Sequence, residues 1–218
     1  MPDHDLLVIG GGTGGYAAAF RAAQLGRTVT LIEQAKVGGT CLHWGCIPAK
    51  AMLETGDLLA KIGKAADFGI EISPATGVDT DTVAARRDRI VNRMHAGLKS
   101  LFKKNGVELI AGRATFIDDT TVEVQIFDET GAPTGETRRL TARDFVIATG
   151  SSVRKIPGFE ADGQIIVSSD DIVTGTFKPR SVIVVGGGAV GCEFASYFRD
   201  LGAETTIVEM LPALVPLE

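Results

Sequence analysis

Two cysteines close together in the chain are the residues best suited to redox chemistry. Cys41 and Cys46 lie five positions apart in the segment GTCLHWGCIPAK. A regular helix advances about 7.5 Å over that interval, whereas the Cα atoms of a disulfide lie about 4.4–6.8 Å apart. A bridge between the two thiols therefore requires a distorted helical turn, which Gly45 permits. Without a bridge, the pair would be two small buried residues or half of a zinc site that needs further ligands.

Two glycine-rich loops have the spacing of a dinucleotide-binding turn. The glycines of these GxGxxG patterns are Gly10, Gly12 and Gly15 in the first loop and Gly186, Gly188 and Gly191 in the second. Each loop follows an apolar run that is typical of a buried strand and precedes a helical pattern. The glycines let the backbone approach a pyrophosphate, whose charge is favoured at the N-terminus of the following helix. The alternative for each loop is a tight strand-to-helix turn without a ligand.

An acidic residue follows each glycine loop at the end of the next apolar run. Glu33 lies 18 residues beyond Gly15, and Glu209 lies 18 residues beyond Gly191. A carboxylate at this place accepts hydrogen bonds from the hydroxyls of a ribose. It would also repel a 2′-phosphate, so Glu209 favours NAD over NADP at the second loop. The plain alternative is an ordinary glutamate at a strand end.

The elements that must position these residues form two βαβ repeats in the same register, VIGGGTGGYAAAF and VVGGGAVGCEFAS. We therefore predict an α/β fold with two Rossmann-like dinucleotide-binding units of the three-layer ββα type. The first unit is predicted to be complete and to include an antiparallel meander, whereas the second unit is predicted to be truncated. The first nucleotide-binding domain is predicted over residues 1–150 and the start of the second over residues 151–218, since a Gly-, Pro- and Ser-rich connection begins at Ser151.

Between the two repeats the pattern predicts two helices and an antiparallel pair of strands. One helix is expected from about Cys41 to Lys61, and a longer one over residues 79–104. The long helix has an apolar stripe and an opposite face of arginines and lysines that is expected to be solvated. Antiparallel strands are predicted at Thr115–Phe127 and Arg138–Ala148, on either side of a turn.

The composition excludes several classes of protein. The chain has 218 residues, with 22 Lys and Arg against 27 Asp and Glu, so its net charge of −5 provides no bulk attraction for nucleic acid or anionic lipid. No Lys or Arg precedes Leu6, and no apolar run approaches the about 20 residues of a membrane span. We therefore expect a cytoplasmic protein with no nucleic-acid, membrane or metal partner. Three cysteines are an odd number for a structural disulfide framework.

With the loops, the acids and the cysteines in this order, the sequence resembles the pyridine nucleotide–disulphide oxidoreductases. Residues 38–50, GGTCLHWGCIPAK, match the family motif GGTCxxxGCxPxK, and the ATG strand end of the family is present at 148–150. The resemblance covers essentially the whole chain. It implies an FAD-dependent dithiol–disulfide oxidoreductase that uses NAD. Leu42 and Ile47 favour the dihydrolipoamide dehydrogenase branch, in which electrons pass from dihydrolipoamide through the disulfide and FAD to NAD.

The resemblance also implies a role for each candidate site residue. Cys41 would undergo thiol–disulfide exchange with the substrate, and Cys46 would lie nearer the flavin. Lys50 would also lie near the flavin and pair with Glu193. The residues that would contact FAD are Gly10, Gly12, Gly15, Glu33, Gly39, Thr40, Cys41, Lys50, Gly112, Ala114, Thr149 and Gly150. The residues that would hold NAD are Gly186, Gly188, Val190, Gly191 and Glu209.

Members of the family carry a C-terminal interface domain, from which the partner subunit supplies a His–Glu acid–base pair. The sequence contains no such pair, so we expect a fragment of a homodimeric parent. The parent would act on a small-molecule or lipoyl-protein disulfide, as in a 2-oxoacid dehydrogenase complex. Two alternatives stay open: a sibling flavin disulfide reductase of the mercuric or glutathione reductase kind, and a catalytically silent nucleotide-binding fragment.

Overall fold

A computed structural model describes residues 2–72, 77–154 and 156–216. The chain divides into two compact units. Unit 1 consists of Met1–His43 and Val91–Arg154, and unit 2 consists of Trp44–Ile90 and Lys155–Glu218. The division into nucleotide-binding domains near residue 150 stays a prediction, because compactness alone does not identify a ligand.

Unit 1 contains the first βαβ repeat and the antiparallel strands. Its elements are β1 (His4–Ile9), α1 (Thr13–Gln24), β2 (Val29–Glu33), α2 (Gly39–His43), β3 (Glu108–Phe116), β4 (Thr121–Phe127) and β5 (Pro133–Ile147). Unit 2 contains α3 (Cys46–Gly63), a 3-10 turn (Ala65–Phe68), α5 (Ser169–Thr174), β6 (Ser181–Val185), α6 (Ala189–Asp200) and β7 (Glu204–Val208). The long helix α4 (Thr80–Lys104) begins in unit 2 and contributes its later turns to unit 1.

The sheet of unit 1 brings the ends of its parallel strands to one level. The parallel order is β5–β1–β2–β3, and β3 and β5 each also pair antiparallel with β4, which closes the sheet into a barrel. Ile9 is paired with Ile32 and with Ile147, and Glu33 is paired with Ala111. The segments that follow these positions in the four parallel strands therefore lie at the same edge, and in α/β sheets ligands bind beyond the carboxyl ends of the strands.

The core of unit 1 lies inside this barrel. Its buried members are Leu7, Ile9, Ile32, Ile110, Val122, Val124, Leu140 and Ala142. The four residues Leu6–Ile9 are all buried, so β1 is covered on both faces. This burial explains why β1 is a continuous apolar run rather than an alternating one.

Unit 2 contains a two-stranded parallel sheet, in which Ser181 of β6 is paired with Glu204 of β7. Its core joins the helices α3 and α6 and the long helix, with Ala49, Met52, Val83, Val173, Phe194, Tyr197, Phe198 and Ala203 buried. Ile183 of β6 is 72% exposed, whereas Phe194 of α6 is buried. The side chains of this sheet alternate in exposure along both strands, as expected for a sheet with one covered face.

Three sequence predictions differ from the structure. The helix expected from Cys41 to Lys61 is two helices, because the backbone of Gly45 is not helical (φ −146°, ψ −114°). The strand expected at Thr115–Phe127 is divided between β3 and β4. The Asp118 carboxylate accepts hydrogen bonds from the backbone N–H and the hydroxyl of Thr120, which stabilises a turn there.

The third difference concerns the basic face of α4, which the pattern predicts to be solvated. Arg87 is only 3% exposed. Its guanidinium donates to the backbone carbonyls of Thr174 and Gly175, at the end of α5. The apolar stripe is also less buried than expected, since Met94 is 46% exposed. In the described ranges of the chain, no helix is both long enough and apolar enough to cross a membrane.

Candidate functional site

The first glycine loop has a backbone that side chains would obstruct. Gly10 has φ +101°, and a Cβ atom on it would overlap the carbonyl oxygen of Ala148. A Cβ atom on Gly15 would overlap the carbonyl oxygen of Gly10. Helix α1 begins directly after Gly12, which forms no side-chain cap. The N–H groups of its first turn have no intrahelical acceptor, so this loop fits the pyrophosphate of a dinucleotide.

Glu33 is held beside this loop by two backbone N–H groups. Its Oε2 accepts from Gly11 N at 2.6 Å, and its Oε1 accepts from Ala35 N at 2.7 Å. A carboxylate offers about four lone-pair positions, so each oxygen can still accept a further hydrogen bond. The structure therefore fixes the Glu33 carboxylate at the end of β2, where the hydroxyls of a ribose could donate to it.

Four more of the residues predicted for the first site come to the same edge of the sheet: Gly112, Ala114, Thr149 and Gly150. Ala148 N donates to Ile9 O at 2.8 Å, so Thr149 and Gly150 follow β5 next to the end of β1. Gly112 and Ala114 lie in β3 just beyond Ala111, the last residue of β3 paired with β2. These segments all belong to unit 1, whereas Lys50, which is also predicted to contact FAD, belongs to unit 2.

The segment that leads to Cys41 is also bonded to the first loop. Gly38 N donates to Gly11 O at 2.8 Å, and the Cα of Gly39 lies against the Cα of Gly12. Thr40 is exposed, and Cys41 is half-buried in α2. Gly38 and Gly39 have φ values of +112° and +59°, so glycine is required for this approach.

Cys46 is the first residue of α3 and is exposed. It belongs to unit 2, whereas Cys41 belongs to unit 1. The predicted Cys41–Cys46 bridge stays a prediction.

Lys50 and Glu193 form an ion pair inside unit 2. The ammonium group of Lys50, on α3, donates to Glu193 Oε1, on α6. The family resemblance implies this pairing. The Lys50 side chain is 59% exposed and that of Glu193 is 35% exposed. An ion pair this open to solvent contributes little to the free energy of folding. Any importance of the pair would therefore lie in the predicted redox chemistry.

The second glycine loop repeats the geometry of the first. A Cβ atom on Gly191 would overlap the carbonyl oxygen of Gly186. Glu209 Oε2 accepts from Gly187 N at 2.6 Å, and its Oε1 accepts from Leu211 N at 2.8 Å. The hydrogen bond from Leu211 is the main reason that the pKa of Glu209 is lowered. Glu209 is thus held as an anion next to the loop.

Two residues of α6 complete the second loop. Val190 is 55% exposed in the first turn of the helix, and Gly188 is its N-terminal cap residue. The thiol of Cys192 donates to Gly187 O at 3.4 Å. Cys192 therefore supports the loop backbone and is separate in role from the predicted redox pair.

The sequence did not indicate that His43 and His95 come together near Cys41. His95 of α4 lies next to His43 of α2, and both rings are within hydrogen-bond distance of Val37 O. Burial is the main reason that the pKa of His43 is lowered. No local pattern indicates His95, because its partners are far away in the chain. The described residues contain no group of three or more His, Cys, Asp or Glu that could hold a metal ion.

The chain is similar to one protein family and to several curated proteins. A family model described as pyridine nucleotide-disulphide oxidoreductase matches residues 4–218. Dihydrolipoyl dehydrogenase of Zymomonas mobilis is 40% identical over 219 residues, which are 100% of this chain and 46% of that protein. Dihydrolipoyl dehydrogenase 2 of Haloarcula marismortui is 42% identical over 212 residues, or 97% of this chain and 44% of that protein. One from Bacillus subtilis is 40% identical, over 98% of this chain and 45% of its own length. The chain thus spans about half the length of these curated relatives.

Proposed function

Because the chain belongs to the pyridine nucleotide-disulphide oxidoreductase family, we propose that it is the part of a dihydrolipoyl dehydrogenase that binds FAD, begins the NAD site and carries the redox-active cysteines. Residues 1–150 would form the FAD-binding domain and residues 151–218 the start of the NAD-binding domain. The hydrogen bond from Gly38 N to Gly11 O carries this proposal. It joins the segment leading to Cys41 to the loop that fits a dinucleotide.

The first glycine loop and Glu33 would bind FAD, with the loop amides on the pyrophosphate and the carboxylate on the ribose. Gly112, Ala114, Thr149 and Gly150 line the same edge of the sheet and would contact the cofactor through their backbones. When bound, FAD would supply the two-electron chemistry that connects a dithiol with NAD. The second glycine loop and Glu209 would bind NAD, and the negative charge of Glu209 would exclude a 2′-phosphate.

The cysteines would act by thiol–disulfide exchange. A thiolate of dihydrolipoamide attacks the sulfur of Cys41, which forms a mixed disulfide and releases Cys46 as a thiolate. The second substrate thiol then attacks the mixed disulfide, so the substrate leaves oxidised and Cys41 and Cys46 are left reduced. Lys50, held by Glu193, would place a positive charge near the reduced site.

The properties of the whole protein belong to the same proposal. We infer a homodimeric parent that acts on lipoyl groups of a 2-oxoacid dehydrogenase complex, in the cytoplasm. The assignment of a lipoyl substrate is supported by the relatives, which are named dihydrolipoyl dehydrogenases. Turnover of dihydrolipoamide by the full-length parent, compared with reduction of glutathione disulfide and of Hg(II), separates this proposal from the sibling reductases.

Absorption spectroscopy of the chain mixed with FAD tests the proposal. We expect bound flavin and, after reduction by two electrons, a long-wavelength charge-transfer band from the Cys46 thiolate. Cys46→Ser should abolish the band while flavin stays bound. The matched variant Cys41→Ser keeps the Cys46 thiol and should keep a band. A chain that takes up no FAD would favour the silent nucleotide-binding alternative, and a band that persists in Cys46→Ser would make the cysteine roles wrong.

A further inference from the structure

The peptide unit between Val37 and Gly38 is hydrogen-bonded at both of its ends. Its N–H group, on Gly38, donates to Gly11 O of the first glycine loop at 2.8 Å. Its carbonyl oxygen, on Val37, lies 2.9 Å from His43 Nε2 and 3.1 Å from His95 Nδ1. A carbonyl only accepts hydrogen bonds, so both rings donate to it. These bonds require a proton on Nε2 of His43 and on Nδ1 of His95.

The two imidazole rings also pack against each other. Their centroids are 5.0 Å apart and their planes meet at 69°, an edge-to-face arrangement. His43 is the last residue of α2, and His95 lies within α4. Val37 is buried, so a carbonyl in this place needs its donors. The peptide unit between Val37 and Gly38 thus connects the first glycine loop with α2 and α4.

Helix α2 has little stability of its own. It contains five residues, Gly39–His43, and begins with a glycine whose φ is +59°. A helix this short does not persist without tertiary contacts, because nucleation is costly and few hydrogen bonds repay it. The contacts that hold its last residue therefore decide where Cys41, two residues earlier, is placed.

We propose that His43 and His95 are positioning residues, which share the Val37 carbonyl and thereby hold α2 and Cys41 against the first glycine loop. The role of Cys41 in exchange rests on the proposed function, whereas the anchoring rests on the hydrogen bonds alone. Neither histidine serves as a proton donor to the substrate in this proposal. Their effect on the reaction passes through the position of Cys41.

Amide side chains allow a sharp test, because they reproduce one ring nitrogen each. The amide nitrogen of Gln reaches the place of Nε2, and that of Asn reaches the place of Nδ1. His43→Gln and His95→Asn should therefore keep the donor to Val37 O. His43→Asn and His95→Gln also carry an amide, but their side chains place its nitrogen too near to or too far from the backbone to donate to Val37 O. These wrong-reach variants are therefore the matched controls. His43→Phe and His95→Leu remove the donor but keep apolar volume.

Two readouts are needed on the full chain. The first is hydrogen exchange of the α2 amides, followed by mass spectrometry. The second is the rate at which Cys41 reacts with 4,4′-dithiodipyridine in a Cys46→Ser background, with the modified peptide identified. Loss of one hydrogen bond to a buried carbonyl should raise amide exchange about tenfold. We expect this rise in the donor-less and wrong-reach variants, together with a change of at least about threefold in the Cys41 rate. His43→Gln and His95→Asn should stay close to the unsubstituted chain.

Each outcome decides the proposal. Unchanged exchange in His43→Phe and His95→Leu would overturn the anchor. Raised exchange with an unchanged Cys41 rate would overturn the positioning role and leave a purely structural contact. If a Phe or Leu variant fails to fold, His43→Asn and His95→Gln provide the same comparison. Flavin binding without a charge-transfer band would refute the proposed function, and the exchange data would still decide the anchor.

Discussion

The backbone N–H of Gly11, in the loop after β1, donates to Oε2 of Glu33, at the end of β2, at 2.6 Å. The second repeat contains the same bond between Gly187 and Glu209, also at 2.6 Å. In both repeats the acid that follows the second strand is thus tied to the glycine loop that follows the first strand. The carboxylate and the loop amides are thus held together before any ligand is present, which would reduce the ordering cost of binding the proposed nucleotide.

This relationship predicts that Glu209→Gln changes cofactor preference. The substitution removes the negative charge that opposes a 2′-phosphate, while the amide oxygen can still accept from one of the two N–H groups. We expect the affinity for NADP relative to NAD to rise about tenfold, because like charges a few ångströms apart repel appreciably even when partly solvated. Equilibrium titration of the chain with both nucleotides measures the ratio.

Glu33→Gln is the matched control for that prediction. It makes the same change in the first repeat and should weaken FAD uptake without altering the preference between NAD and NADP. An equal effect of both substitutions on nucleotide preference would contradict the assignment of the two loops.

Neighbouring glycines of the first loop should respond in opposite ways to alanine. A Cβ atom on Gly15 would overlap Gly10 O, whereas one on Gly14 would have no atom within 4 Å. Gly15→Ala should therefore displace the loop and reduce FAD uptake. Gly14→Ala should stabilise the chain by about 0.5–1 kcal/mol, since alanine loses less backbone entropy in a helix. Urea unfolding and flavin absorbance check both effects, and a larger loss of flavin in Gly14→Ala would refute this account of the loop.

The features that could be predicted from the sequence are those fixed by local spacing. The spacing of Gly10, Gly12 and Gly15 places a turn between a strand and a helix, and Glu33 follows at the end of the next strand. These relations hold because the loop geometry is determined within one βαβ unit. The sequence predicts a distorted turn at Gly45 only if the two cysteines form a bridge, and it does not predict that the segment divides into two helices there.

Contacts between distant segments could not be predicted from local spacing, and the one that was expected, between Lys50 and Glu193, was implied by the family resemblance. Arg87 occupies the polar face of α4, and the pattern therefore predicts solvent around it. Its acceptors, the carbonyls of Thr174 and Gly175, are carried by a segment that returns much later in the chain. His95 was missed for the same reason, because only the folded chain brings it to the Val37 carbonyl.

Arg87 should contribute more to stability than its neighbours on α4. Its buried guanidinium donates to two carbonyls at the end of α5 and to the carboxylate of Asp88. Arg87→Ala should lower the free energy of unfolding by about 3 kcal/mol, because buried acceptors lose a charged donor. Arg89 is exposed on the same helix. Arg89→Ala is the control and should stay within about 0.5 kcal/mol in urea unfolding. Equal losses in the two variants would show that burial of Arg87 is unimportant.

His43 should make the stability of the chain depend on pH below neutrality. Burial is the chief cause of its lowered pKa, and His95 and Lys36 lower it further, while the bond to Val37 and the charge of Glu33 oppose them. As the pH falls below about 6.5, the unfolded chain binds this proton before the folded chain does. The free energy of unfolding should therefore decrease from about pH 6.5 down to the folded pKa and show no further contribution from His43 below it.

Urea unfolding at a series of pH values measures this dependence, and His43→Gln is the variant that isolates it. Gln keeps a donor for Val37 O but has no titratable group, so the decrease that belongs to His43 should disappear while stability at pH 8 is retained. His4 provides the comparison at another place in unit 1, where its Nδ1 lies 3.1 Å from the hydroxyl of Thr30. If His4→Gln flattens the pH profile as much as His43→Gln does, the loss of stability does not arise at the Val37 carbonyl, and the account of His43 is wrong.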